Sequence, residues 1–198
     1  KSNPSAMSVA GSIAPSSIDA THRSTTGMAV VGDYAYFLPI MSDSELYLQS
    51  VNCSTPSTPT AGGRVLVGTY GTGIDGEVAA VTSTKIVAAH DVVSDFYLHV
   101  FDVSTPGSPT LDDTFTELGV GSGSVRVAHV PGTSRVAVTD AISGGQSRIR
   151  WFDVSTGTPS LIDTRNLLAS DPRDVTCTAT AAYVSFAGLG VVSVSHPA

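Results

Sequence analysis

The sequence predicts an all-β fold in which one four-stranded unit is written four times, and three observations carry that expectation. A ten-residue phrase recurs at near-constant spacing: VNCSTPSTPT from Val51, FDVSTPGSPT from Phe101 and FDVSTGTPSL from Phe152, with a shorter copy, VSVSHP, from Val192. Around each copy lie short apolar stretches separated by Gly, Asp, Ser and Thr. No segment sustains an apolar period of 3.6 residues, so helices are not expected. Steps of 50, 51 and 40 residues between the copies place the chain among solenoids, propellers and linear arrays.

Each unit is read as four strands. In the first, MAVV (28–31), YAYFL (34–38) and LYLQSV (46–51) lead into the phrase and RVLVG (64–68) comes after it. The second has EVAAV (77–81), KIVAA (85–89), FYLHVF (96–101) and TLDDTFTEL (110–118). The third has VRVAHV (125–130), RVAVT (135–139), RIRWF (148–152) and SLIDTRNLL (160–168). The fourth has DVTCTA (174–179), AYVSFA (182–187) and LGVVSV (189–194), with nothing after the phrase. Many of these strands are apolar on both faces, with Ala88, Ala89, Ala137 and Ala182 at tight positions. Sheets covered on both sides are what radial stacking produces, so a β-propeller of four-stranded blades is the expected architecture. The blades are placed at about 27–68, 76–118, 124–168 and 173–198 of a single domain, 1–198.

The phrase itself ends a strand. Stacking the copies puts Leu48, Leu98, Ile149 and Leu189 in one column, Val51, Phe101, Phe152 and Val192 in a second, and Cys53, Val103, Val154 and Val194 in a third, all read as core. Between the last two stand Asn52, Asp102, Asp153 and Ser193, short side chains whose oxygen accepts a backbone N–H two residues on and starts a turn. Ser or Thr and then Pro come next, and Pro removes a ladder donor.

A unit reads A-V-x-G-x-x-A-Y-x, a variable loop, then L-x-V-x-D-V-S-x-P, as in Val30-Val31-Gly32-Asp33-Tyr34-Ala35-Tyr36-Phe37 and Leu98-His99-Val100-Phe101-Asp102-Val103-Ser104-Thr105-Pro106. This resembles the LVIVD repeat, a family of bacterial and archaeal β-propeller repeats found mostly in secreted or cell-surface proteins. The resemblance spans nearly the whole chain and implies four-stranded blades in an extracytoplasmic setting. It implies no common reaction and transfers no catalytic residue. Two departures are visible: a period longer than the family's usual one, and Ser193 where Asp is expected.

The two ends of the sequence are nearly in phase with the repeat. It stops at Ser193-Val194-Ser195-His196-Pro197-Ala198 and opens with Asn3-Pro4-Ser5-Ala6-Met7-Ser8-Val9-Ala10, similar to the stretch just after the phrase in other units. The favoured expectation is ring closure, with residues of about 4–14 supplying the outer strand of blade four and the closed ring a monomer. The rival expectation is four consecutive blades of a larger ring.

Composition bounds the function. A hydrophobic content of 41% supports one core, and 14% charged residues with only two lysines, Lys1 and Lys85, suit an extracellular or cell-surface protein. A net charge of -7 argues against nucleic acid, whose binding rests on cationic contacts to phosphate. Apolar runs are of strand length, so no membrane span is expected, and no signal peptide is visible. Cys53 and Cys177 read first as buried small hydrophobes, with a disulfide between them as the second reading. The sequon-like Asn52-Cys53-Ser54 lies within the terminating turn.

Catalytic motifs are missing: there is no Gly-x-Ser-x-Gly elbow and no P-loop, and the runs Gly71-Thr72-Gly73 and Gly119-Val120-Gly121-Ser122-Gly123 fall between units. Propeller geometry gathers the loops between second and third strands, and those leading into each blade, on one face. His90, Asp91, Asp140, Asp75 and Arg173 are the binding candidates there. No cofactor is expected; calcium is the ion that converging carboxylates would suit. Three functions are compatible with these features: a non-enzymatic secreted or surface module that binds a protein or glycan partner through the loop face, an extracellular lactonase-like hydrolase with a metal at the channel mouth, and an architectural repeat module of a larger surface protein.

Overall fold

The computed structural model describes residues 11–14, 22–41, 44–70, 74–92, 95–119, 123–142, 145–167, 171–188 and 190–198. These residues are all-β, with fifteen strands in four antiparallel meanders. The first sheet holds β1 (His22–Val31), β2 (Tyr34–Met41), β3 (Glu45–Asn52) and β4 (Thr60–Thr69). The second holds β5 (Asp75–Ala80), β6 (Lys85–Val92), β7 (Asp95–Asp102) and β8 (Thr110–Glu117). The third holds β9 (Arg126–His129), β10 (Arg135–Ile142), β11 (Gln146–Asp153) and β12 (Ser160–Leu167); the fourth has β13 (Pro172–Cys177), β14 (Ala181–Phe186) and β15 (Gly190–Ser195).

Local chemistry accounts for the hairpins. Gly32 and Gly132 turn the first hairpins of their sheets at φ of 57° and 77°, conformations an L side chain rarely adopts. At the end of the third strands, Asn52, Asp102 and Asp153 accept the N–H of Ser54, Ser104 and Ser155 at 2.9, 2.6 and 2.8 Å, which is the expected side-chain turn. The next residue, Cys53, Val103 or Val154, donates its N–H across the sheet to the carbonyl of Asp33, Thr84 or Ser134.

That cross-sheet bond corrects the register of the fourth copy. In blade four the donor is the N–H of His196, to the Thr180 carbonyl, and Ala181 pairs with Ser195 as Tyr34 pairs with Asn52. Ser195, rather than Ser193, thus holds the turn position, with Val194 in the column of Val51, Phe101 and Phe152. Alignment on the phrase alone displaces this copy by two residues. Because side chains alternate with period two, such a slip leaves every residue on its expected face and is invisible to a hydrophobic pattern.

The sheets stack as wedges. First strands pack in chain order, β1 on β5, β5 on β9 and β9 on β13, whereas the outer strands β4 and β8 scarcely meet. Between sheets one and two lie Tyr36, Leu38, Leu48, Val78, Ile86 and Phe101; between two and three, Leu98, Val100, Val127, Val138 and Phe152; between three and four, Ile149, Trp151, Val175, Val184 and Phe186. The second and third sheets are therefore core on both faces, as their apolar runs required.

Of the expected closing strand, residues 4–10 lie outside the described residues. Residues 11–14 form no strand, and Gly11 lies against Pro56 and Ser57 of the first sheet. Among the described residues the fourth sheet has three strands.

Candidate functional site

The first strands carry a column that the repeat phrase does not reveal. Met28, Val78, Val127 and Val175 are equivalent in pairing, facing Phe37, Ala88, Val138 and Val184 on the second strands. The preceding paired positions are Thr26, Glu77, Arg126 and Asp174, facing Leu38, Ala89, Thr139 and Ser185, with Gly27 as an extra bulge residue in blade one. Successive blades thus present a neutral hydroxyl, an anion, a cation and an anion.

These groups are tied together. Arg126 Nη1 donates to Asp75 Oδ2 at 2.8 Å, and its Nε donates to the Arg173 carbonyl at 2.9 Å. The N–H of Val127 donates to Glu77 Oε2 at 3.0 Å. Ser124 donates to Asp171, which also pairs with Arg173 at 2.6 Å. Burial pushes the Glu77 carboxyl up; the Val127 N–H and Arg126 oppose this, and the Asp174 and Asp75 carboxylates add to it.

At the blade-one bulge a polar cleft of about 320 Å³ opens, lined by Thr26, Gly27, Asp75, Gly76, Glu77 and Arg126. Gly27 sits in a β-bulge between Thr26 and Met28 at φ 52°. A Cβ there would lie 2.5 Å from the Glu77 Cα, so only glycine fits.

The sequence-derived candidates divide into two groups. Asp75 and Arg173 are joined through Arg126, and Asp75 pairs across the sheet with Asp91. Asp91 is buried, with its carboxyl pushed up to about 6 by burial, opposed by the Gly123 N–H and reinforced by Asp75. His90 and Asp140, expected in loops, instead lie within β6 and β10 and are fully buried. Their strands run further than the apolar pattern suggested because polar partners complete them.

His90 and Asp140 occupy the same position in consecutive blade contacts. Between blades one and two, His90 Nε2 meets His99 Nε2 at 2.9 Å, His99 Nδ1 meets Thr114 Oγ1 at 2.8 Å, and Tyr70 and Tyr97 pack on His90. One shared proton links the two rings, and burial holds both imidazoles well below their usual range, His99 at about 4.

Between blades two and three, Asp140 accepts Arg148 Nε at 3.1 Å, and Arg148 and Arg150 both reach Glu117. Arg150 Nη2 lies 3.1 Å from Asp140 as an ion pair without hydrogen-bond geometry. The Arg150 guanidinium also lies 3.5 Å from the centre of the Phe96 ring, a stacked cation contact. Between blades three and four the corresponding residues are Leu167, Phe186 and Val192, all apolar. These polar sets are ties between blades, with His90, His99, Asp140 and Arg150 buried.

Cys53 and Cys177 are both free thiols, half-buried. Cys177 packs against the core between blades three and four, where burial pushes its thiol up to about 11. Among the described residues no three His, Cys, Asp or Glu side chains are grouped to hold a metal ion, and no helix is long and apolar enough to cross a membrane.

Residues 22–67 and 92–117 match the LVIVD repeat. The matched LVIVD segments cover blade one and the latter half of blade two. No curated protein matches the chain. Among solved structures it is similar to a propeller-like protein from Lactobacillus plantarum, at 18% identity and a TM-score of 0.65, over 89% of this chain and 52% of that one. It is also similar to the computationally designed Ika4 protein, at 12% identity and a TM-score of 0.52, over 88% of this chain and 92% of that one. These likenesses are of fold: the chain is a β-propeller of antiparallel blades. It spans about half the length of the Lactobacillus protein.

Proposed function

We propose that this chain is a non-enzymatic binding module of a secreted or cell-surface protein, and that its cleft receives a cationic group from a protein partner. One observation carries the reading: the charged column Glu77, Arg126 and Asp174 ends in the neutral Thr26 beside the Gly27 bulge, and the cleft there is flanked by Asp75 and Glu77. Arg126 is already committed to Asp75 and the Arg173 carbonyl. The uncompensated charge at the mouth is therefore negative, and a lysine or arginine side chain entering over Gly27 would continue the alternation of sign. A net charge of -7 would steer such a partner toward the protein. The setting rests on the LVIVD match, a repeat typical of extracellular and surface proteins.

Calorimetric titration with arginine- and lysine-bearing peptides, run beside neutral oligosaccharides, tests the reading. The expected result is saturable peptide binding that weakens with salt and is lost in Asp75→Asn/Glu77→Gln. Binding of the oligosaccharides alone, or peptide binding indifferent to that double substitution, would sink it.

A further inference from the structure

Behind the cleft lies a carboxyl that does not line it. Asp75, on the cleft wall, stands directly opposite Asp91 across the β5 and β6 pair, so both side chains lie on the sheet face that Val87 and Ala89 turn toward blade three. Like charges set opposite each other in a strand pair repel. The two sites are unequal. Asp75 accepts Arg126 Nη1 at 2.8 Å, whereas Asp91 is 2% exposed and its Oδ1 has no hydrogen-bond partner among the described residues. A carboxyl oxygen buried without a donor is costly when the group is charged and much less so when it is neutral. Asp91 is therefore the one of the two to take up the first proton, and Asp75 the one to keep its charge.

Few other charges face Asp91. From β5 come Asp75 and Glu77, from β9 Arg126, and from β7 the uncharged ring of Phe96, directly opposite in the pairing. Arg126 is engaged by Asp75 and the Arg173 carbonyl. Across the same blade contact, Asp140, Arg148 and Arg150 close on one another and on Glu117. Burial, with the Asp75 charge adding to it and the Gly123 N–H opposing, holds the Asp91 carboxyl at about 6.

We infer that cation binding in the cleft is proton-linked through Asp91: a cationic group seated against Asp75 and Glu77 draws the proton off Asp91, and protonation of Asp91 loosens the hold on that group. The two effects are one coupling, reciprocal by thermodynamic necessity. Asp91 acts as a charge behind Asp75 and not as a ligand, since it does not line the cleft. The inference rests on the cleft reading and adds its regulation, a partner held at neutral pH and released in mildly acidic surroundings.

Calorimetric titration at pH 5 and pH 7.5 tests this, with a capped peptide carrying one arginine, whose charge is constant over that range. Repeating each titration in buffers of different ionisation enthalpy counts the protons released. The parent protein should bind about fivefold more tightly at pH 7.5 and release part of a proton near pH 6. Asp91→Asn, uncharged at every pH, should bind at pH 7.5 with the weaker affinity and lose that release. Any pH dependence it keeps belongs to Asp75 and Glu77. Parent binding without proton release near pH 6, or a release and pH profile that Asp91→Asn reproduces, overturns the inference and leaves the cleft reading standing. Absence of binding at both pH values, or binding that survives Asp75→Asn/Glu77→Gln, overturns both.

Discussion

At the scale of single residues, the buried titratable groups make the fold sensitive to pH in opposing directions. An unfolded histidine takes up its proton near pH 6.5, whereas burial holds His99 at about 4 and His90 well below its usual value. The unfolded chain then binds more protons than the folded one as pH falls below 6.5, and stability declines in that direction. Asp91 acts the other way. Its folded-state value of about 6 lies above that of an unfolded aspartate near 3.9, so its contribution is present at low pH and fades as pH rises from about 4 to about 6. Urea midpoints measured from pH 6.5 down to 4.5 separate the two. His90→Gln/His99→Gln is expected to lose less stability than the parent across that range, and Asp91→Asn to lose more. Parallel profiles for all three proteins would refute the assignment.

Single positions also account for what is legible in the sequence. Asn52, Asp102 and Asp153 are readable as turn formers because the bond each makes spans two residues. Arg126 and Glu77 do not stand out, since their partners lie about fifty residues away in neighbouring blades. Only the paired column just before Met28, Val78, Val127 and Val175 marks them.

At the scale of elements, each blade contact is closed near the same point by a different chemistry: a histidine pair, a carboxylate and guanidinium network, or plain apolar packing. Removing one member of a buried ionic set is costlier than removing the set, because it strands a charge. Arg150→Met should therefore destabilise the fold by about 3–5 kcal/mol, and Asp140→Ala/Arg150→Met by clearly less, as denaturant titration can establish. A double variant at least as unstable as the single one would contradict this account. The β1 bulge gives a second test. Gly27→Ala meets both the left-handed backbone, which costs about 1–2 kcal/mol for an L side chain, and the Glu77 backbone. A clear fall in melting temperature is expected, and an unchanged one would show that β1 is not held in its bulge.

At the scale of the whole molecule, stability comes from stacking, since each sheet is covered only by its neighbours. Blade four has one described neighbour and three strands, so it should loosen first. Trp151, the single tryptophan, is fully buried and packs against His196 and Arg165 at that contact. Val184→Asp should shift Trp151 emission to the red at denaturant concentrations where the far-UV signal is still native. Coincident transitions would mean instead that the four blades unfold as one unit.

The sequence by itself determined the strands, their grouping by four and the turns that end them. These depend on alternation along a strand and on hydrogen bonds a few residues long, both of which are written locally. Tertiary structure alone decided that the fourth copy is displaced by two residues, that His90 and Asp140 tie blades together rather than face solvent, and that Thr26, Glu77, Arg126 and Asp174 form one column. Each of those outcomes depends on what a neighbouring blade contributes across the sheet contact, and a period-two pattern carries no information about that neighbour.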